Sequence, residues 1–278
     1  MRDDGWVIHS APPADLLADP TVGAAGGFVQ RVGEGAALDA AARWVTGTDA
    51  RSRQVGFAVL GFVGLDDDDA RRALLEAARL AAGDPYPDVR MSVAAAIGNL
   101  SDCADAHHLL LSMVDDGDDA VLAQVVGGLA ITASDSTTIA EPWVQSLVTL
   151  LRHDSALVRD WAAFALGTQS DVDGPEVRDE LLRIAETDAD GEDVYPAAEA
   201  AMGLARRQDS RVQPIIERRL VDVAVGRLWL EAAAELADPR LHPALVRLRE
   251  EVDPEPCTSW DDSLDLAIQT CSPRLDRS

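Results

Sequence analysis

The sequence predicts an all-α protein built as an α-solenoid of stacked helical hairpins. Three observations predict it. Hydrophobic residues make up 47% of the chain but aromatic residues only 4%, and Ala and Leu carry most of the apolar positions. Small residues at that density suit closely stacked helices better than sheets, which favour β-branched and aromatic residues. A pair of an apolar residue and, nine positions on, a small one recurs: Val55/Gly64, Val89/Gly98, Val121/Ala130, Val158/Gly167, Val194/Gly203 and Val225/Ala234. The anchors at 55, 89, 121, 158, 194 and 225 are spaced by thirty-odd residues, the length of one helical hairpin. Acidic turns separate the segments at Asp66–Asp69, Asp115–Asp119, Asp171–Gly174 and Asp188–Asp193.

Residues 1–35 contain Pro12-Pro13, Pro20 and Gly23, Gly26, Gly27, Gly33 and Gly35, which predict an irregular arm or cap with at most a short helix around Ala14–Ala18. The solenoid follows over 36–278, with repeats at 36–66, 67–101, 102–133, 134–170, 171–207 and 208–238 and a terminal one at 239–272. First helices are predicted at Ala36–Thr46, Ala70–Ala82, Ala104–Val114, Thr138–Arg152, Pro175–Glu186, Val212–Val221 and Leu241–Glu251. The last pairs with a terminal helix near Trp260–Thr270. Acidic residues ahead of these segments favour the positive N-terminal end of a helix, and Pro142 and Pro175 suit a first turn.

Register divides each second helix into two faces. In the helix from Val158, Ala162, Ala163, Ala165 and Leu166 form a stripe at helical spacing that packs on neighbouring helices. The second, third, sixth and tenth residues after each anchor lie on the other face and are expected to line a concave groove. The candidate partner-binding residues are Met91, Asn99, Gln124, Ile131, Asp160, Trp161, Phe164, Thr168, Leu204, Arg227 and Glu231. Trp161 and Phe164, three apart, share a face, and aromatic anchors in a desolvated groove carry most protein-binding energy. Phe57, Ala197 and Ala200 fall on the same face by the same count. Glu199 falls on the packing stripe, where a carboxylate must be paired or protonated, so Arg178 or Arg159 is its expected partner.

The pattern V-R-x-x-A-A-x-A-L-G, present as Val158-Arg159, Ala162-Ala163 and Ala165-Leu166-Gly167, resembles the HEAT repeat, particularly its bacterial phycobilin-lyase-like type. Val89-Arg90 through Gly98-Asn99-Leu100 is similar, and so is Trp229-Leu230 through Ala237-Asp238-Pro239-Arg240. The resemblance spans about 36–270 and implies a right-handed superhelix of about six to seven hairpins. The Arg after the anchor stands only at Arg90 and Arg159, with Gly56, Leu122, Tyr195 and Gly226 elsewhere, which leaves the Asp–Arg ladder of such arrays incomplete.

Charge and motifs narrow the function. With 49 acidic and 24 basic residues the net charge is -25, and every basic residue is Arg. That excludes a P-loop or Schiff-base lysine and argues against a nucleic-acid backbone as partner. Cys103, Cys257 and Cys271 are odd in number and form no CxxC, which favours a reducing compartment. The start MRDDGWVIHS lacks a basic region and an apolar run, and the longest apolar stretches, Val55–Leu65 and Ala120–Ala133, fall short of a membrane span, so a cytoplasmic protein is expected. Cys103 and His107 form a fortuitous pair rather than a metal site, and Asp171–Gly174 and Asp188–Gly191 are helix-capping turns rather than calcium loops. No cofactor and no catalytic residue is expected. The leading expectation is a non-catalytic scaffold that holds a protein or peptide in its groove. The alternatives are an acidic antagonist of a basic partner and, by analogy of fold alone, a phycobilin-lyase-like enzyme.

Overall fold

The computed structural model describes residues 12, 17–18, 22–132, 142–187, 195–252 and 259–273. The Val194 anchor, Cys257, the 188–191 turn and most of 1–21 lie outside them. The described residues form helices and turns with no strand, and none of these helices is long and apolar enough to cross a membrane. The chain divides into two compact units, 1–135 and 136–278.

In unit 1, α1 is Val22–Val32, α2 Glu34–Trp44, α3 Ala50–Val63, α4 Asp68–Ala81, α5 Pro87–Gly98, α6 Ala104–Leu111 and α7 Asp119–Thr132. The hairpins α2–α3, α4–α5 and α6–α7 stack so that their second helices pack in a row, α3 on α5 and α5 on α7. The helix α1 corrects the expected irregular arm. It packs on α3 and so extends the row of second helices by one. The contact requires Gly26, where a Cβ would lie 2.9 Å from the Phe62 ring. Here glycine marks close approach rather than a chain break.

In unit 2, α8 is Pro142–Leu150, α9 Ala156–Phe164 continued by a π-helical turn Ala165–Gln169, α10 Pro175–Thr187 and α11 Tyr195–Arg206. The last two hairpins are α12 Gln213–Arg219 with α13 Arg227–Leu236, and α14 His242–Glu251 with α15 Ser259–Cys271. Again the second helices form the row: α9 and its π turn on α11, α11 on α13, α13 on α15. Acidic turns start the helices as anticipated, since Asp49 accepts from Ser52 N at 2.8 Å and Asp67 from Ala70 N at 2.7 Å.

Backbone contact between small residues sets the register of each row. A Cβ on Gly61 would sit 2.9 Å from Ala96 Cβ, one on Gly98 2.9 Å from Gly128 Cα, and one on Gly203 2.5 Å from Gly167 Cα. Counted from Ser52, Val89, Val121, Val158 and Pro196, each seam joins the ninth residue of one second helix to the seventh of the next. Two anchors therefore shift: from Val55 back to Ser52, and from Val194 forward to Pro196. The arginines agree. Arg53, Arg90 and Arg159 each donate to the carbonyl six residues earlier, of Gly47, Asp84 and His153, at 2.9–3.0 Å. Arg53 is thus the equivalent of Arg90 and Arg159, and the ladder has a member the Val55 count concealed. Arg53 reaches Asp84 at 2.8 Å and Arg90 reaches Asp116 at 2.6 Å, each joining one hairpin to the turn of the next.

Candidate functional site

Exposure tests the predicted face residue by residue. In unit 1, Met91 and Gln124 are half-buried and Asn99 and Ile131 exposed, with Asn99 Nδ2 donating to Ala95 O at 2.9 Å. In unit 2, Asp160, Trp161, Phe164 and Thr168 are half-buried on α9 and its π turn, Glu231 is half-buried on α13, and Arg227 beside it is exposed. Leu204 is a correction: it is fully buried and unavailable to a partner. Phe57, Ala197 and Ala200 are fully buried too. All four follow from the two shifted anchors. Recounted from Pro196, the open face of α11 carries Glu199, Met202 and Arg206, which are half-buried, half-buried and exposed.

The open face of the second helices of unit 2 therefore gathers two aromatic and three acidic residues. Trp161 and Phe164 meet edge to face, with ring centroids 5.8 Å apart at 89°. This is the favoured arrangement of two aromatic quadrupoles. One turn on, Thr168 Oγ1 donates to Glu199 Oε2 at 3.0 Å, which ties α9 to α11 across the face. Glu231 on α13 pairs with Arg227 at 3.2 Å.

Glu199 is a second correction. It lies on the open face, not the packing stripe, and neither expected arginine pairs with it. Arg178 binds Asp173 at 2.6 Å, and Arg159 donates to the His153 and Asp154 carbonyls. Burial raises the Glu199 pKa above the ordinary carboxylate range. The Thr168 hydroxyl offsets this in part, and the charges of Asp160 and Glu231 add to it. Burial likewise raises Asp160, whose Oδ1 is shielded from solvent with no hydrogen-bond partner among the described residues.

The π turn that positions Thr168 is held from behind. Arg207 has its side chain almost wholly covered and donates to the carbonyls of Leu166 (2.7 Å), Gly167 (3.1 Å), Val172 (2.6 Å) and Gly203 (2.9 Å). A π turn leaves carbonyls without their usual partners, and such turns recur at functional sites. A guanidinium with five N–H donors satisfies several at once. The arrangement offers an aromatic surface edged by negative charge. Among the described residues no group of His, Cys, Asp and Glu is placed to hold a metal ion.

No protein-family profile and no curated sequence matches the chain. Solved structures do. The X-ray structure of Escherichia coli YibA is 20% identical with a TM-score of 0.51, covering 88% of this chain and 96% of that one. An engineered protein is 17% identical with a TM-score of 0.52, covering 92% of this chain and 72% of that one. Human deoxyhypusine hydroxylase in complex with glycerol aligns at 17% identity and a TM-score of 0.37. The first two likenesses, with the helices described above, establish the fold, an all-α chain of HEAT-like helical hairpins.

Proposed function

We propose that this chain is a non-catalytic peptide- or protein-binding module that receives its partner on the open face of the second helices of unit 2. In this reading the hairpins are HEAT repeats of the bacterial phycobilin-lyase-like type, and the protein acts in the cytoplasm as a scaffold. One observation carries it: Trp161 and Phe164 meet edge to face and stay half-exposed together on the open face of a row, beside three acidic residues, where Trp44, Phe57 and Trp229 are buried almost completely. Aromatic residues left partly open on the face of a packed row are the usual anchors of a protein interface. A role as acidic decoy draws less support, because Asp49, Asp67, Asp209 and Asp238 accept backbone N–H groups at helix starts rather than forming one acidic face.

The test is affinity capture with the wild type and a Trp161→Ala/Phe164→Ala variant shown by circular dichroism to keep its helices. A recovered partner is then titrated as a purified protein. Binding weakened at least about tenfold in the variant is the expected result, since truncating a central aromatic costs about 2 kcal/mol or more. Equal affinity for both proteins would overturn the proposal.

A further inference from the structure

Among the described residues, buried and half-buried carboxylates are mostly held by an arginine, or, as Asp118 is by Ala120 and Val121, by backbone N–H groups; two on the open face of unit 2 have neither. Asp84 has Arg53 at 2.8 Å, Asp116 has Arg90 at 2.6 Å, Glu180 has Arg183 at 2.9 Å, Asp209 has Arg211 at 2.7 Å and Asp261 has Arg249 at 2.6 Å. A carboxylate withdrawn from water needs such a partner or it destabilises the fold. Asp160 and Glu199 have none among the described residues. Glu199 receives only the neutral Thr168 hydroxyl, and Asp160 keeps an oxygen with no partner. The arginines around them are engaged elsewhere: Arg227 with Glu231, Arg206 with Asp171, and Arg159 with the His153 and Asp154 carbonyls. Beside these acids lie the rings of Trp161 and Phe164, which attract a cation to their faces.

Resting on the binding proposal above, we infer that the partner segment is anchored by a basic side chain, arginine or lysine, whose stem lies on Trp161 and Phe164 and whose charge meets Asp160 and Glu199. Charge complementarity selects this occupant. An apolar anchor alone would cover the rings but leave two carboxylates desolvated and unpaired, which opposes binding. A basic residue supplies the missing counter-charge, and its methylene stem covers the aromatic surface. The occupant is a protein segment rather than a nucleic acid, because the same carboxylates repel a phosphate backbone.

The experiment pans a displayed library of random twelve-residue peptides against the wild type and synthesises the enriched peptides for titration. Titrations use the wild type, the Trp161→Ala/Phe164→Ala variant and an isosteric Asp160→Asn/Glu199→Gln variant. The inference expects a shared Arg or Lys position in the selected peptides. It also expects binding at least about tenfold weaker in the Asp160→Asn/Glu199→Gln variant, and an equal loss when the basic residue is replaced by norleucine. Peptides that need Trp161 but share no basic position, and bind the Asp160→Asn/Glu199→Gln variant undiminished, would overturn the cation while leaving the binding face intact. Selected peptides whose binding ignores the Trp161→Ala/Phe164→Ala change would overturn both.

Discussion

Asp160 and Glu199 are more costly to the free protein as carboxylates than as amides. Each has a native pKa raised above its unfolded value, chiefly by burial. The native state then holds more protons than the unfolded chain as pH climbs from about 4, and stability falls through that window. Asp160→Asn and Glu199→Gln are expected to raise stability at pH 7 by about 1 kcal/mol each, with the gain vanishing below about pH 3, where the acids are neutral in both the folded and the unfolded state. Urea melts at the two pH values measure this. Asp116 has the opposite sign. Arg90 holds its carboxyl below the usual range, so its contribution is full above about pH 4 and is lost as pH falls through the lower native value. Asp116→Asn should cost about 2 kcal/mol at pH 7 in the same melts. That is less than for a fully buried pair, because Arg90 keeps its bond to the Asp84 carbonyl at 2.9 Å.

Three pairs of neighbouring second helices touch through glycine, α3 with α5, α5 with α7 and α9 with α11, and glycine substitutions should separate cleanly by position. Gly203→Ala puts a methyl 2.5 Å from Gly167 Cα, against backbone that cannot turn aside. A loss of about 1–3 kcal/mol in denaturant melts is expected. Gly35→Ala, in α2 with nothing within 4 Å of the added carbon, should instead gain about 0.5 kcal/mol from helix propensity. The same seams explain what could be read in advance. Helix existence and boundaries were legible because spacing, acidic starts and small residues agree: Ala70–Ala82 is found at Asp68–Ala81 and Pro175–Glu186 at Pro175–Thr187. Trp161, Phe164 and Thr168 fall on the half-buried face that the count from Val158 gives, because Val158 occupies the anchor position of its seam. Glu199 and Leu204 were misplaced because Val194 is an equally apolar residue two positions from the one that occupies the anchor site. A shift of two residues turns a helix by about 200°, which exchanges its faces. The partner of Gly167 across the row was the signal that could have set the count, and only packing reveals it. Arg207 was illegible because its role depends on a π turn that no local pattern announces.

Across the whole molecule the charge of -25 opposes compaction. Exposed ion pairs such as Arg72–Asp69, 3.0 Å apart, contribute at most about 1 kcal/mol each. Screening the repulsion among the surplus acids therefore outweighs screening the pairs. The thermal midpoint is expected to rise between 0.02 M and about 0.5 M sodium chloride, where the Debye length falls to a few ångströms. A differential scanning calorimeter would show it, and a falling midpoint would mean the Arg–Asp ladder dominates instead.

The ninth-to-seventh glycine seam also bears on how such a chain changes over generations. Because α5 offers one small residue forward, Gly98, and one backward, Ala96, a duplicate of its hairpin would carry both halves of the joint. Whole hairpins can be gained or lost at a seam without redesigning their neighbours. A single inserted residue within α5 or α11 would instead rotate Gly98 or Gly203 out of the joint. Change in length is therefore tolerated in steps of a hairpin and penalised in steps of one residue.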